Sequence, residues 1–156
     1  MNSGGKMKKS VIAEVKKFKS KYKMTIAWRL NKNAKIIEKH LNPDEKVLYA
    51  FTGQKNNHSL DIVSTAVIAL TDKRLLIGRK RVLFGYFLDS VTPDLFNDLK
   101  VNSGIIWGRI HIDTAKELIT ISNLDKDSLP EIETKITSYM MQEKRKISSE
   151  NENKKR

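Results

Sequence analysis

Apolar positions in the first forty residues recur at helical spacing. Val11, Val15, Phe18, Tyr22 and Ile26 follow one another at steps of three or four, which places them on one narrow stripe. Leu30, Ala34, Ile37 and Leu41 continue the spacing on a rotated stripe, so a bend or break near Trp28 is expected. Asn42-Pro43 then stops the helix, because a residue preceding proline avoids the helical region. From here the period changes. KVLYAFTGQ (46–54) reads as a strand, KNNHSLD (55–61) as a polar loop and IVSTAVIALT (62–71) as a second strand. Thr71-Asp72-Lys73 is a tight turn, RLLIGR (74–79) a third strand, Lys80-Arg81 a turn and VLFGYFLDSV (82–91) a fourth strand. PDLFNDLKVNSG (93–104) predicts an irregular fifth strand. In IIWGRIHIDT, Ile110 and Ile112 alternate with Arg109, His111 and Asp113 as a half-buried strand requires, and LITIS closes the series. Ser128 and Glu131 form an S-x-x-E capping box ahead of a helix with Leu129, Ile132, Ile136, Tyr139 and Met140 on one face. That helix is expected to fray after Gln142.

About seven short strands separated by turn signals predict an α+β chain whose antiparallel sheet bends into a sandwich or partly open barrel. The residues add to this. NPDEKVLYAFTG, VIALTDKRLLIG, FLDSVTP, GRIHIDT and LITISN, in that order across residues 41 to 143, resemble the bacterial pleckstrin-homology-like families, especially the YokE-like one. The resemblance implies a pleckstrin-homology-like bent sheet of about seven strands capped by a C-terminal helix, here with an N-terminal helical extension. It also implies a noncatalytic binding or scaffolding module with an unassigned ligand. Eukaryotic relatives often hold phosphoinositide headgroups through basic residues at the end of the first strand and along the second. Lys55 corresponds to the first of these positions, whereas Ile62 to Thr71 carries no Lys or Arg, a departure from that pattern.

Charge divides the chain further. The net charge is +12, and residues 1–40 hold +10 of it, from twelve Lys and Arg against Glu14 and Glu38. Residues 41–145 are neutral and residues 146–156 carry +2. The expected organisation is a basic helical arm (1–40), a pleckstrin-homology-like domain (41–145) and a disordered polar tail (146–156). Cysteine is absent, which excludes disulfides and thiolate chemistry. The longest charge-free run in the middle of the chain is ten residues, where a membrane span needs roughly 20. No apolar stretch long enough for a signal peptide follows the basic N-terminus, so a cytoplasmic chain is expected, with peripheral membrane attachment open.

Five basic residues crowd into nine positions: Lys73, Arg74, Arg79, Lys80 and Arg81. They fall at two successive hairpin ends, so they should form two patches at opposite ends of the sheet. The plainer reading is solvated strand tips; the functional one is an anion or partner contact by Arg79, Lys80 and Arg81, with Lys55 and His58 nearby. In the arm, Lys16, Lys17, Lys21 and Lys23 lie off the apolar stripe. Three uses of that stripe are open: packing on the body, another copy or a protein partner; insertion of Val11, Val15, Phe18, Tyr22 and Ile26 at an anionic membrane; or nonspecific binding of nucleic acid beside the lysines. Self-association or protein contact is the expected role. His40, His58 and His111 are widely separated, and no nucleophile–base or D-x-D-x-D spacing occurs, so neither an enzyme, a cofactor nor a metal is expected. Trp107, beside Gly108, is expected in the core, with an exposed contact surface as the alternative; Phe84, Tyr86 and Phe87 carry the same two readings, and a partner groove would need some of them exposed.

Overall fold

A computed structural model describes residues 9–56 and 62–156. Ten regular elements follow one another: α1 (Val11–Lys21), α2 (Leu30–His40), β1 (Val47–Gln54), β2 (Thr65–Thr71), β3 (Leu75–Lys80), β4 (Tyr86–Val91), β5 (Phe96–Ser103), β6 (Trp107–Thr114), β7 (Leu118–Asp125) and α3 (Leu129–Lys154). The strands form one antiparallel sheet in the order β4-β3-β2-β1-β7-β6-β5. β1 and β7 join only at Gln54 and Ser122, where the sheet folds over on itself. The expected bent sheet, closed by a C-terminal helix, is therefore present.

Two apolar clusters explain the layers. Inward residues of the strands (Phe51, Ile68, Ile77, Ile110, Ile112, Ile121) meet Leu129, Ile132, Ile136 and Met140 of α3 in the barrel interior. Val67, Ala69, Leu76 and Ala50 project from the outer face and meet Val11, Val15, Ala34 and Ile37 of α1 and α2. β2 is consequently buried along its whole length. That is the reason for its uncharged sequence, since a strand covered on both faces has no polar side to present. Gly78 lets α2 lie directly on β3, because a Cβ there would sit 2.8 Å from Ile37.

The arm is thus stitched into the fold. Val11, Val15, Phe18 and Tyr22 retain at most 8% exposure, and the Phe18 ring packs against Tyr22, Tyr49 and Phe51. Ser10 Oγ caps α1 by accepting from the Ala13 N–H, while the Glu38 carboxylate on α2 accepts from the Val11 and Ile12 N–H groups. The expected break is wider than the Trp28 region: α1 ends at Lys21, and residues 22–29 run along the sheet. Ile26 is therefore not on the helical stripe; it lies half-buried with its N–H donating to the Asn123 carbonyl. The Met24 carbonyl accepts from the Trp107 indole, which is partly exposed and not in the core as expected.

Other expectations shift by small amounts. VLFG is not strand: β4 begins at Tyr86. The fifth strand starts at Phe96, after a single turn at Pro93–Leu95, and is irregular as expected, its register on β6 shifting between Phe96 and Asp98. The capping box does not form. Ser128 Oγ donates to the Asp125 carbonyl, and Glu131 is drawn instead to Lys21 and to the Tyr49 hydroxyl. α3 runs on to Lys154, so the segment expected as a disordered tail is helical, as its Lys, Glu and Ser content permits.

Candidate functional site

The β3–β4 hairpin carries the molecule's most distinctive surface. Lys80 and Tyr86 are its last paired residues, and five residues, 81–85, make the loop. The Arg81 N–H donates to the Gly85 carbonyl at 3.1 Å. Gly85 has φ of 77°, in the left-handed region that glycine adopts without strain. This compact closure leaves the apolar trio between them without cover: Val82 is 53% exposed, Leu83 81% and Phe84 83%. The three side chains thus form one contiguous apolar projection at the loop apex.

Cations surround the projection. The Arg79 guanidinium carbon lies 4.6 Å from the centre of the Phe87 ring and that of Arg81 5.3 Å from it, so both cations sit over one aromatic ring. Arg79 also donates to the Val63 carbonyl at 3.5 Å. Together with Lys80 these residues line an open cleft of about 440 Å³ between the hairpin and Val63. No carboxylate lines that cleft among the described residues.

The helices outside the sheet position this hairpin. Asn33 of α2 is buried; its Oδ1 accepts from the Lys80 N–H at 2.7 Å, and its Nδ2 donates to the Thr65 and Trp28 carbonyls. Arg29, in the left-handed region just ahead of α2, donates to the Arg81 carbonyl at 3.4 Å. The arm therefore reaches the base of the cationic loop with side chains that bond to the loop's backbone.

The other expected site residues are dispersed. Lys55 is ion-paired to Asp89 on β4, and His58 lies outside the described residues. Lys73 is exposed at the opposite end of the sheet, so the five clustered cations do form two patches. Arg74 has a structural role there. It donates to the buried Glu45 carboxylate at 3.0 and 3.1 Å and to the His40 carbonyl at 3.0 Å. Burial alone would raise the Glu45 pKa; hydrogen bonds from Arg74, the Asn42 N–H and the Thr71 hydroxyl outweigh it and hold the carboxyl below its usual range. Lys16, Lys17, Lys21 and Lys23 are exposed on the arm. Lys21 and Lys17 border a small cleft of about 160 Å³ whose other walls include Glu14 and Glu131, so its charge is mixed. Glu131 is likewise held low: burial opposes its ionisation, but donation from Lys21 and Tyr49 prevails.

Sequence reasoning left Phe84, Tyr86 and Phe87 open between core and exposed contact, and all three are exposed; it missed Val82 and Leu83 as part of a projection, together with Asn33 and Arg29 as its supports. Gly85 was the available signal, since a glycine after three apolar residues extends the turn that Lys80-Arg81 begins.

Residues 41–138 match a protein family described as bacterial PH domain. One similar solved structure is the pleckstrin homology domain from Shewanella amazonensis SB2B. The likeness has a TM-score of 0.47 and 13% sequence identity, and it covers 72% of this chain and 89% of that one. No curated protein matches the chain. Among the described residues, no helix is long and apolar enough to cross a membrane.

Proposed function

The chain belongs to the bacterial PH domain family, and from that premise we propose that it is a noncatalytic binding module whose contact surface is the β3–β4 hairpin. The observation that carries this reading is the exposure of Leu83 and Phe84 at a loop apex directly beside Arg79, Lys80 and Arg81. The N-terminal helices serve as a brace for that surface, not as a separate contact arm. Their apolar stripe already lies against β1 and its neighbours and is unavailable to a partner while the chain stays folded. The order of LTDKRLL, FLDSVTP, GRIHIDT and LITIS supports a place near the YokE-like group within the family.

A photoreactive side chain at position 83, in the full chain and in living bacteria, tests the reading without presupposing the ligand's class. Adducts at position 83, to lipid, to another protein or to a second copy, should exceed those at position 105. Ile105 is the fitting control, being 89% exposed on the β5–β6 loop at the opposite edge of the sheet. Equal yields at the two positions would show the hairpin to be ordinary surface.

A further inference from the structure

We infer that the seven-stranded sheet takes up an extended segment of another protein as an added strand, paired along the free edge of β4. This second contact lies beside the hairpin apex and does not depend on it. The parity of the ladder sets which backbone groups are free. Opposed residues of an antiparallel pair alternate between exchanging backbone hydrogen bonds and turning those groups outward. The Arg81 N–H donates to the Gly85 carbonyl, and Lys80 pairs with Tyr86 one rung on. The bonded rungs are therefore Arg79 with Phe87, Ile77 with Asp89 and Leu75 with Val91. The N–H and C=O groups of Tyr86, Leu88 and Ser90 point away from β3. Asn33 bears out this parity from the other side. The Lys80 N–H is turned from β4 to the Asn33 side chain, which also holds the Thr65 carbonyl at the end of β2. Among the described residues, nothing pairs with the three outward sets on β4, the last strand of the sheet. They recur every ~6.8 Å, the repeat that a partner strand carries.

The two edges of the sheet differ in cover. β5 shifts register between Phe96 and Asp98, α3 packs along it, and Lys144 donates to the Phe96 carbonyl. Such irregularities, charges and covering helices are how an edge is kept from pairing. β4 keeps one register throughout, holds neither lysine nor proline, and has its one charge, Asp89, ion-paired to Lys55. An edge left regular and open is a template for strand addition. Beside it runs a groove of about 270 Å³, with Leu88–Val91 on the near side and Leu95, Ile119 and the β6–β7 turn on the far side. Side chains of an added strand alternate between faces, so every second one would enter this groove, where Val91, Leu95 and Ile119 favour apolar groups. The segment recognised is thus extended, about five residues long and apolar at alternate positions. A lone segment fits this opening better than a second copy, whose β4 would bring its own β6–β7 turn to the same face.

Hydrogen exchange on the full chain gives the first check. The amides of Tyr86, Leu88 and Ser90 should exchange at nearly unprotected rates, while those of Phe87 and Asp89 are slowed by their bonds to β3. The probe is a displayed library of random linear dodecapeptides, selected on the full chain and counter-selected on Ser90→Pro. Proline is tolerated on an edge strand where its nitrogen faces solvent, so the variant's circular dichroism should match the parent. The Ser90 hydroxyl gives up only a 3.5 Å contact from Arg74. Enriched peptides should be apolar at alternate positions. At about ten times its Kd, such a peptide should slow exchange at Leu88 and Ser90 about tenfold and leave Phe87 and Asp89 unchanged. Methylating the peptide's amide nitrogens one at a time should weaken binding about three- to tenfold at alternate positions and little between them. The exchange and methylation readouts need no variant of the protein. Leu83→Asp should bind as the parent does. Protection of Leu88 and Ser90 in the free chain would overturn the inference, assigning the edge to a second copy if it fades on dilution and to the chain itself if it persists. A library without enrichment, or peptides that bind Ser90→Pro equally well, would also overturn it. So would peptides that lose affinity with Leu83→Asp and leave the Leu88 and Ser90 amides unprotected, an outcome that keeps the hairpin apex as the contact surface.

Discussion

α1 and the β3–β4 hairpin are made of similar material and meet opposite fates. Each sets large apolar side chains beside lysines or arginines. In α1 the apolar members are covered: Phe18 sits among three aromatic rings, and Val11 and Val15 lie against the outer face of the sheet. In the hairpin the corresponding members, Leu83 and Phe84, touch little and face solvent. An amphipathic pattern fixes which side of a segment seeks cover, not what supplies it. The supply here depends on a distant part of the chain. β2 presents two apolar faces, one more than the barrel interior can fill, and the N-terminal helices cover the second.

The largest way to break the contrast is to remove the covered partner. Deleting residues 1–40 should leave a chain that aggregates or lacks a cooperative urea transition. Burying a large aliphatic or aromatic side chain stabilises by about 1.5–3 kcal/mol, and the loss of several such side chains rivals the roughly 5–15 kcal/mol that holds a typical domain together. A soluble 41–156 chain with an unaltered urea midpoint would show the helices to be dispensable. Within the intact chain, Phe18→Ala should destabilise by about 3–5 kcal/mol, read from urea unfolding, because the aromatic cluster cannot collapse into the space left.

The next effect is electrostatic. Arg74→Ala leaves the buried Glu45 carboxylate without its guanidinium and should lower stability by about 2–3 kcal/mol at pH 7. The sign of its pH dependence follows from the lowered Glu45 pKa. A carboxyl held below its unfolded value of about 4.3 contributes stability that is fully present above that value and is lost as pH falls through the folded one. The difference between parent and Arg74→Ala midpoints should therefore be widest near neutrality and narrow below about pH 4. A gap that stays constant into acid would mean that the pair is not what Arg74 provides.

These cases also show what the chain disclosed in advance. The strands, their order of turns and the apolar face of α3 were legible because each is a local periodicity with punctuation at its ends. The division of LTDKR and GRKR into two patches was legible because antiparallel hairpins alternate ends. The partner of the α1 stripe was not legible locally, although IVSTAVIALT carried a hint: a strand with no polar face is covered twice. Glu131 looked like a capping residue because Ser128 stands three places earlier. Only the fold brings Lys21 and the Tyr49 hydroxyl to it. Asn33 gave no sign of its role, since its three hydrogen-bonding partners span residues 28 to 80.

Asn33 is where the two regions meet, so it sharpens the comparison. Asn33→Ala leaves the Thr65 carbonyl and the Lys80 N–H without that partner and should cost about 1–3 kcal/mol. Its more telling effect should be local: the Lys80 and Arg81 amides should exchange hydrogen faster relative to those of β6 and β7. Uniform acceleration across the sheet would mean that Asn33 supports the whole fold and not the hairpin.

The smallest expected change concerns the exposed member of the contrast. Phe84→Ala should shift the urea midpoint by less than about 0.5 kcal/mol equivalent, as surface substitutions do. Truncating one phenyl ring at position 18 and one at position 84 removes the same atoms, so the ratio of the two effects measures cover alone. A loss at position 84 approaching that at position 18 would mean that the apex ring packs on the body in solution, with no free surface left to offer a ligand. A negligible loss instead leaves Phe84 with no folding role to explain an apolar residue held in water beside three cations, and that is the condition under which a binding role for the hairpin has its strongest support.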